Sequence, residues 1–198
     1  MGSRALDIAD LDFQVGDHVC AFYEEGANSL DDILATYLSK GLQAGNKCAC
    51  FSFNNTASSV RDRIPPELMS REGILQFLTE NQVKGGFSVE AGLGALEAMV
   101  KEALSEGYSR LWMTGDAAFV ARDMPPGSMK TWFTYEAKLS ELASRHPNFV
   151  MCVYDLNRWA GELVMSVLQT HPRIFVNGLV LSNPYYLPLR QFLEILGA

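Results

Sequence analysis

The residues able to do chemistry in this chain are a few histidines, cysteines and carboxylates set among apolar neighbours. His18, Cys20 and Phe22 alternate, so an extended backbone places them on one face. Cys48, Cys50 and Ser52 alternate in the same way, as do Cys152 and Tyr154. Zinc accepts imidazole and thiolate ligands, which makes a His/Cys metal site conceivable. H-x-C and C-x-C on separate strands lack structural-zinc spacing, however, and none of the four cysteines has C-x-x-C spacing. Free thiols buried in apolar runs are the expectation, with no metal and no cofactor. His18 stands out, because an ionisable ring that opens an apolar run needs a partner, either a specific side chain or a nearby carbonyl.

Glu136 is the second unusual residue. The segment MKTWFTYEAKLSELASRH carries an apolar stripe of Met129, Trp132, Phe133, Leu139 and Ala143, and Glu136 falls in the middle of it. A carboxylate on a core-facing stripe is costly unless it is paired or neutralised. Either it meets a cation, with His18 and Arg110 as candidates, or it faces a pocket, or the stripe is rotated and leaves it at an edge. Tyr23, Phe53, Trp112, Trp132, Tyr154 and Trp159 could line a small apolar pocket or simply form core. No nucleophile elbow and no G-x-G-x-x-G is present.

The elements that position these residues start at Gly16–Phe53. An apolar run, His18 to Tyr23, leads into a polar turn. Ser29, with Asp32, opens a helical pattern of Leu30, Ile33, Leu34, Tyr37, Leu38 and Leu42 that Gly45 stops. Cys48 to Phe53 is the next apolar run, giving a strand, crossover helix, parallel strand unit. RecA-type ATPases keep G-x-x-x-x-G-K-[ST] at this position, whose backbone and Lys grip phosphates. Here the residues are Glu24, Glu25, Gly26, Ala27, Asn28, Ser29 and Leu30, with no Lys. One carboxylate about 4 Å from a phosphate costs on the order of 4 kcal/mol at an effective dielectric near 20.

Further along, Ile74 to Leu78 predicts a short strand. Ser88 caps a long helix to Glu106, and Arg110 to Thr114 is a strand running into Gly115-Asp116. A helix runs to about Arg145 and a strand from Asn148 to Tyr154. Another helix ends at His171-Pro172, a hairpin is split by Asn177-Gly178, and a last short helix follows Pro188. Strands alternating with helices predict one three-layer α/β domain with a mostly parallel sheet, its core about 13–186 and a C-terminal helix in 187–198. Ligands of such sheets bind beyond the carboxyl ends of the strands, a rim expected to gather Tyr23, Phe53, Asp116 and Tyr154.

A formal net charge of −7 argues against direct nucleic-acid binding and against an anionic membrane. No apolar stretch approaches the ~20 residues of a spanning helix, and MGSRALDIADLDF has no signal core, which predicts a cytoplasmic setting.

Eight segments in order, GDHVCAFY (16–23), GLQAGNKC (41–48), KGGF (84–87), MTGDAAF (113–119), FTYEAKL (133–139), CVYD (152–155), HP (171–172) and NPYY (183–186), resemble a known family. This is the MEDS sensory domain of methanogens, methylotrophs and the dichloromethane-responsive repressor, similar to a degenerate RecA/KaiC-type domain. The resemblance implies a non-enzymatic sensor of simple hydrocarbon derivatives acting through a signalling or transcription-regulator partner, with a homodimer as one means of output. It makes His18, Cys20, Glu136, Cys152, Tyr154 and His171 pocket candidates, and the reading of the strand-end rim and its aromatics adds Tyr23, Phe53, Trp112, Asp116 and Trp159 to them. Asp116-Ala117-Ala118 departs from the family pattern, which often has a larger residue there, so the pocket size is expected to differ. A nucleotide-binding module or weak ATPase, and a thiol redox or metal sensor, are the alternative readings.

Overall fold

The structure, a computed structural model, describes residues 14–24, 30–51, 56–78, 88–117, 120, 128–159, 161–176 and 179–197. The Glu25–Ser29 part of the first turn, Phe53, Gly85-Gly86-Phe87, Ala118 and Asn177-Gly178 lie outside the described residues.

Seven strands form one sheet: β1 (His18–Tyr23), β2 (Lys47–Phe51), β3 (Leu75–Leu78), β4 (Leu111–Asp116), β5 (Asn148–Asp155), β6 (Arg173–Val176) and β7 (Leu179–Ser182). Their order is β3-β2-β4-β5-β1-β6-β7. All neighbours run parallel except β6 and β7, which form the predicted hairpin. Parallel pairing with helices on both faces buries most of the central strands, and β5 (NFVMCVYD) is buried along its whole length.

Helices α1 (Leu30–Gln43) and α2 (Thr56–Arg63) cover one face. On the other lie α3 (Val89–Ser105), α4 (Met129–Ala143), α5 (Glu162–Thr170) and α6 (Leu189–Leu196), with α4 touching α3, α5 and α6. This is a three-layer α/β fold.

Two glycines explain how α1 fits. Gly45 takes φ +71° just after the helix, where a Cβ would strain the backbone, and it lets the chain turn into β2. Gly41 faces the sheet, and a Cβ there would lie 2.6 Å from Trp112 Cγ and 2.8 Å from Cys48 Sγ. Absence of a side chain lets α1 approach β2 and β4 closely, and Tyr37 Oη then donates to the Met113 carbonyl at 3.1 Å.

On the opposite face Lys47 is buried at the start of β2. Its Nζ reaches Glu102 of α3 and Glu106, the residue that caps the helix end, each at 2.8 Å. The stem fills core space while the ammonium is met by two half-exposed carboxylates, tying α3 to the start of β2.

Candidate functional site

Strand alternation and register decide which residues meet. Trp112 pairs with Phe149, and Asp116 with Val153, so both point toward α1. Tyr23 pairs with Asp155 and points the same way. His18 pairs with Val150 and Cys20 with Cys152, so His18, Cys20, Cys152 and Tyr154 point toward α4. The expected rim grouping therefore divides. Tyr23, Trp112 and Asp116 lie on one face and the histidine-cysteine group on the other. Trp112 sits one residue from the start of β4, far from the carboxyl rim, and packs on Phe149 and Tyr37 at centroid distances of 4.4 and 5.0 Å.

On the α4 face four side chains converge. His18 comes from the first residue of β1, Glu136 from the middle of α4, Cys152 from β5, and His171 from the residue after α5. One donor atom from each lies within 4.8 Å of all the others. His18 Nε2 and His171 Nε2 both stand 3.2 Å from Glu136 Oε2, and His18 Nε2 is 3.4 Å from Cys152 Sγ. The two imidazoles lie tilted by 36° to each other with centroids 4.0 Å apart. His18, Glu136 and His171 have no exposure to solvent.

The other nitrogen of each ring is fixed by a separate partner, a backbone carbonyl for His171 and a hydroxyl for His18. His171 Nδ1 lies 2.7 Å from the Val167 carbonyl, which can only accept, so Nδ1 carries the proton. Ser140 Oγ donates to the Thr170 carbonyl at 2.5 Å and so accepts from His18 Nδ1 at 2.7 Å. In a neutral ring both Nε2 atoms then present lone pairs toward the cluster centre. Burial, then the neighbouring His171, lowers the His18 pKa to about 4, which keeps that ring neutral at pH 7. For Glu136 burial favours the protonated acid, and a lowered carboxyl requires positive charge or an N–H facing it, which neutral rings with Nε2 lone pairs turned inward do not supply. Burial pushes the Cys152 thiol up.

Tyr154 borders the cluster, its hydroxyl 3.5 Å from His171 Nε2 and its ring edge-on to Trp159 at 5.0 Å. Trp159 also meets Phe133 edge-on, so these aromatics pack as core around the polar group. Cys20 lies next to the cluster but turns its thiol to the Arg173 carbonyl at 3.7 Å. Trp132 packs on Tyr135 at 5.3 Å.

Glu136 does point inward, and of its two expected partners His18 reaches it. Arg110 instead stacks over Phe149 at 5.4 Å. Two residues of the site had no signal in the spacing of the sequence. Ser140 is one helical turn after Glu136 and reads as an ordinary polar position, whereas it fixes the His18 tautomer. His171 came only from the family resemblance.

An open groove of about 770 Å³ runs between α4 and α6, lined by Gly16, Pro172, Tyr186, Leu189 and Leu193, with Ser140 in its floor. Ser140 thus stands between this groove and the buried cluster.

Fold and site together define a three-layer α/β domain of RecA-like architecture with a buried His/Glu/Cys/His group beneath α4. The chain belongs to the MEDS family, the methanogen/methylotroph, DcmR sensory domain, whose profile matches residues 17–172. All four clustered residues fall inside that span. No curated protein matches the chain. Among solved structures it is similar to the flagellar accessory protein FlaH from Methanocaldococcus jannaschii, with a TM-score of 0.51 and 10% identity over 80% of this chain and 70% of that one. At that identity the likeness concerns the fold alone.

Proposed function

We propose that this chain is a non-enzymatic sensory domain that binds a small, largely apolar molecule, a simple hydrocarbon derivative, and passes the change to a signalling or transcription-control partner. The observation that carries this reading is membership of a sensory family over the segment that holds His18, Glu136, Cys152 and His171. The groove over Ser140 supplies the approach, and α6 on its far wall is the element a guest would displace. Binding shifts the domain only by its differential affinity for two arrangements of these elements. The frame is that of a RecA/KaiC-type domain with its triphosphate grip gone, since Glu24 to Leu30 contains no Lys to hold phosphate. Residence in the cytoplasm and output through a homodimer or a partner domain belong to the same proposal.

Thermal shift of the purified chain against short haloalkanes, alcohols and methylamines tests it, with ATP and Mg²⁺ as the nucleotide arm. A saturable rise is expected for one organic class, because a ligand of the folded state adds RT ln(1 + [L]/Kd). That rise should vanish in Glu136→Gln. A rise with ATP alone, or no response across the organic panel, would overturn the reading.

A further inference from the structure

We propose that His18, Glu136, Cys152 and His171 form a tetrahedral binding site for a divalent metal ion of borderline softness, with Zn²⁺ the best chemical match. This goes beyond the sensory reading and does not depend on it.

The distances match the polyhedron. Zinc bound at about 2.0–2.1 Å to nitrogen or oxygen and about 2.3 Å to sulfur gives tetrahedron edges of roughly 3.3 Å between N or O donors and roughly 3.6 Å from N to S. Three of the six edges are 3.2, 3.2 and 3.4 Å, and the other three lie within 4.8 Å, so a modest inward shift of the donors completes the polyhedron.

The proton positions point the same way. With both Nδ1 atoms protonated, two Nε2 lone pairs and a carboxylate oxygen face one point. At 3.2 Å the Nε2–Oε2 contacts do not meet hydrogen-bond alignment, and both oxygens of the fully buried Glu136 lack a hydrogen-bond partner. An uncompensated carboxylate in such a place is costly. A cation at the shared point satisfies all three groups at once.

The surroundings agree. Metal-bound histidines commonly donate their second N–H to a carbonyl or other acceptor, as His171 does to Val167 and His18 to Ser140. Before the ion enters, the Cys152 S–H can donate to His18 Nε2. The ion takes the place of that proton, which leaves to solvent as the thiolate–metal bond forms. Two neutral imidazoles, one carboxylate and one thiolate then balance a dication. Mixed imidazole and thiolate donors favour zinc over calcium or magnesium. Four protein donors close the sphere, which is the arrangement of a site that holds parts together.

Metal content of the full chain, purified without an immobilised-metal column, tests this directly. About one Zn²⁺ per chain is expected. After chelation, added Co²⁺ should give intense visible d–d bands with a sulfur-to-cobalt charge-transfer band in the near ultraviolet. Cys152→Ser should abolish the charge-transfer band and weaken Co²⁺ binding more than about tenfold, and Ser140→Ala, which keeps all four donors, should weaken it roughly tenfold. Cys48→Ser, on the α1 face, should leave spectrum and affinity unchanged. If Cys152→Ser does not fold, the native cobalt spectrum and Ser140→Ala still decide. A chain that takes up neither Zn²⁺ nor Co²⁺, or a cobalt complex without a sulfur band, overturns the proposal. Because no organic ligand is present, these outcomes are independent of the test of sensory function.

Discussion

Burial governs the chemistry of single residues in this protein. Cys20, Cys48, Cys50 and Cys152 are all buried, and burial pushes their thiols up, Cys50 to about 12. The thiolate is the reactive form, so a thiol reagent at pH 8 should label almost nothing in the native chain and four thiols after denaturation. Rapid labelling of the native chain at any of the four would contradict the packing described. Gly41→Ala should destabilise by about 1–3 kcal/mol in urea unfolding, because the new methyl meets Trp112 and the Cys48 sulfur head-on. At this scale the sequence showed that Glu136 and His18 needed partners, since a charge on an apolar stripe and a ring in an apolar strand are both costly. It did not show that His171 would complete the pairing. A histidine just past a helix end has no periodic signature, and its position depends on how α5 docks against α4.

Elements were legible wherever local signals set their ends. Ser88 caps α3 as expected, its hydroxyl accepting from Ala91 N–H at 3.1 Å, and Ser88→Ala should cost about 1 kcal/mol in thermal or urea unfolding. The last helix also forms where Pro188 predicts it, and it anchors through Phe192, which is buried against Phe133 with ring centroids 6.5 Å apart. Phe192→Ala should cost about 3–5 kcal/mol by urea unfolding if α6 folds with the rest as one unit. A smaller loss would mean that α6 is only loosely attached. The face on which each strand residue lands was not legible. That requires the strand order and register, which arise from contacts between segments far apart in the chain. For this reason Trp112 and Asp116 read as neighbours of Tyr154 although they lie on the far side of the sheet.

Across the whole molecule, the clustered donors come from four separate elements: β1, α4, β5 and the end of α5. An ion held among them would join the sheet to two helices and stabilise only the folded chain. Calorimetry of metal-loaded and chelator-treated protein should therefore show a lower Tm after chelation, with full recovery on adding Zn²⁺. Equal melting of the two forms would show that the ion adds nothing to the fold. No helix among the described residues is long and apolar enough to cross a membrane.

Among the described residues Ser140 is the side chain that joins the outer groove to the buried cluster. It lines the groove on one side, with Leu189 and Leu193 of α6 across from it, and holds the His18 ring on the other. Turning that hydroxyl away from His18 removes the acceptor that holds the ring's proton on Nδ1, so the proton is free to shift to Nε2 and take away the lone pair that faces the other three donors.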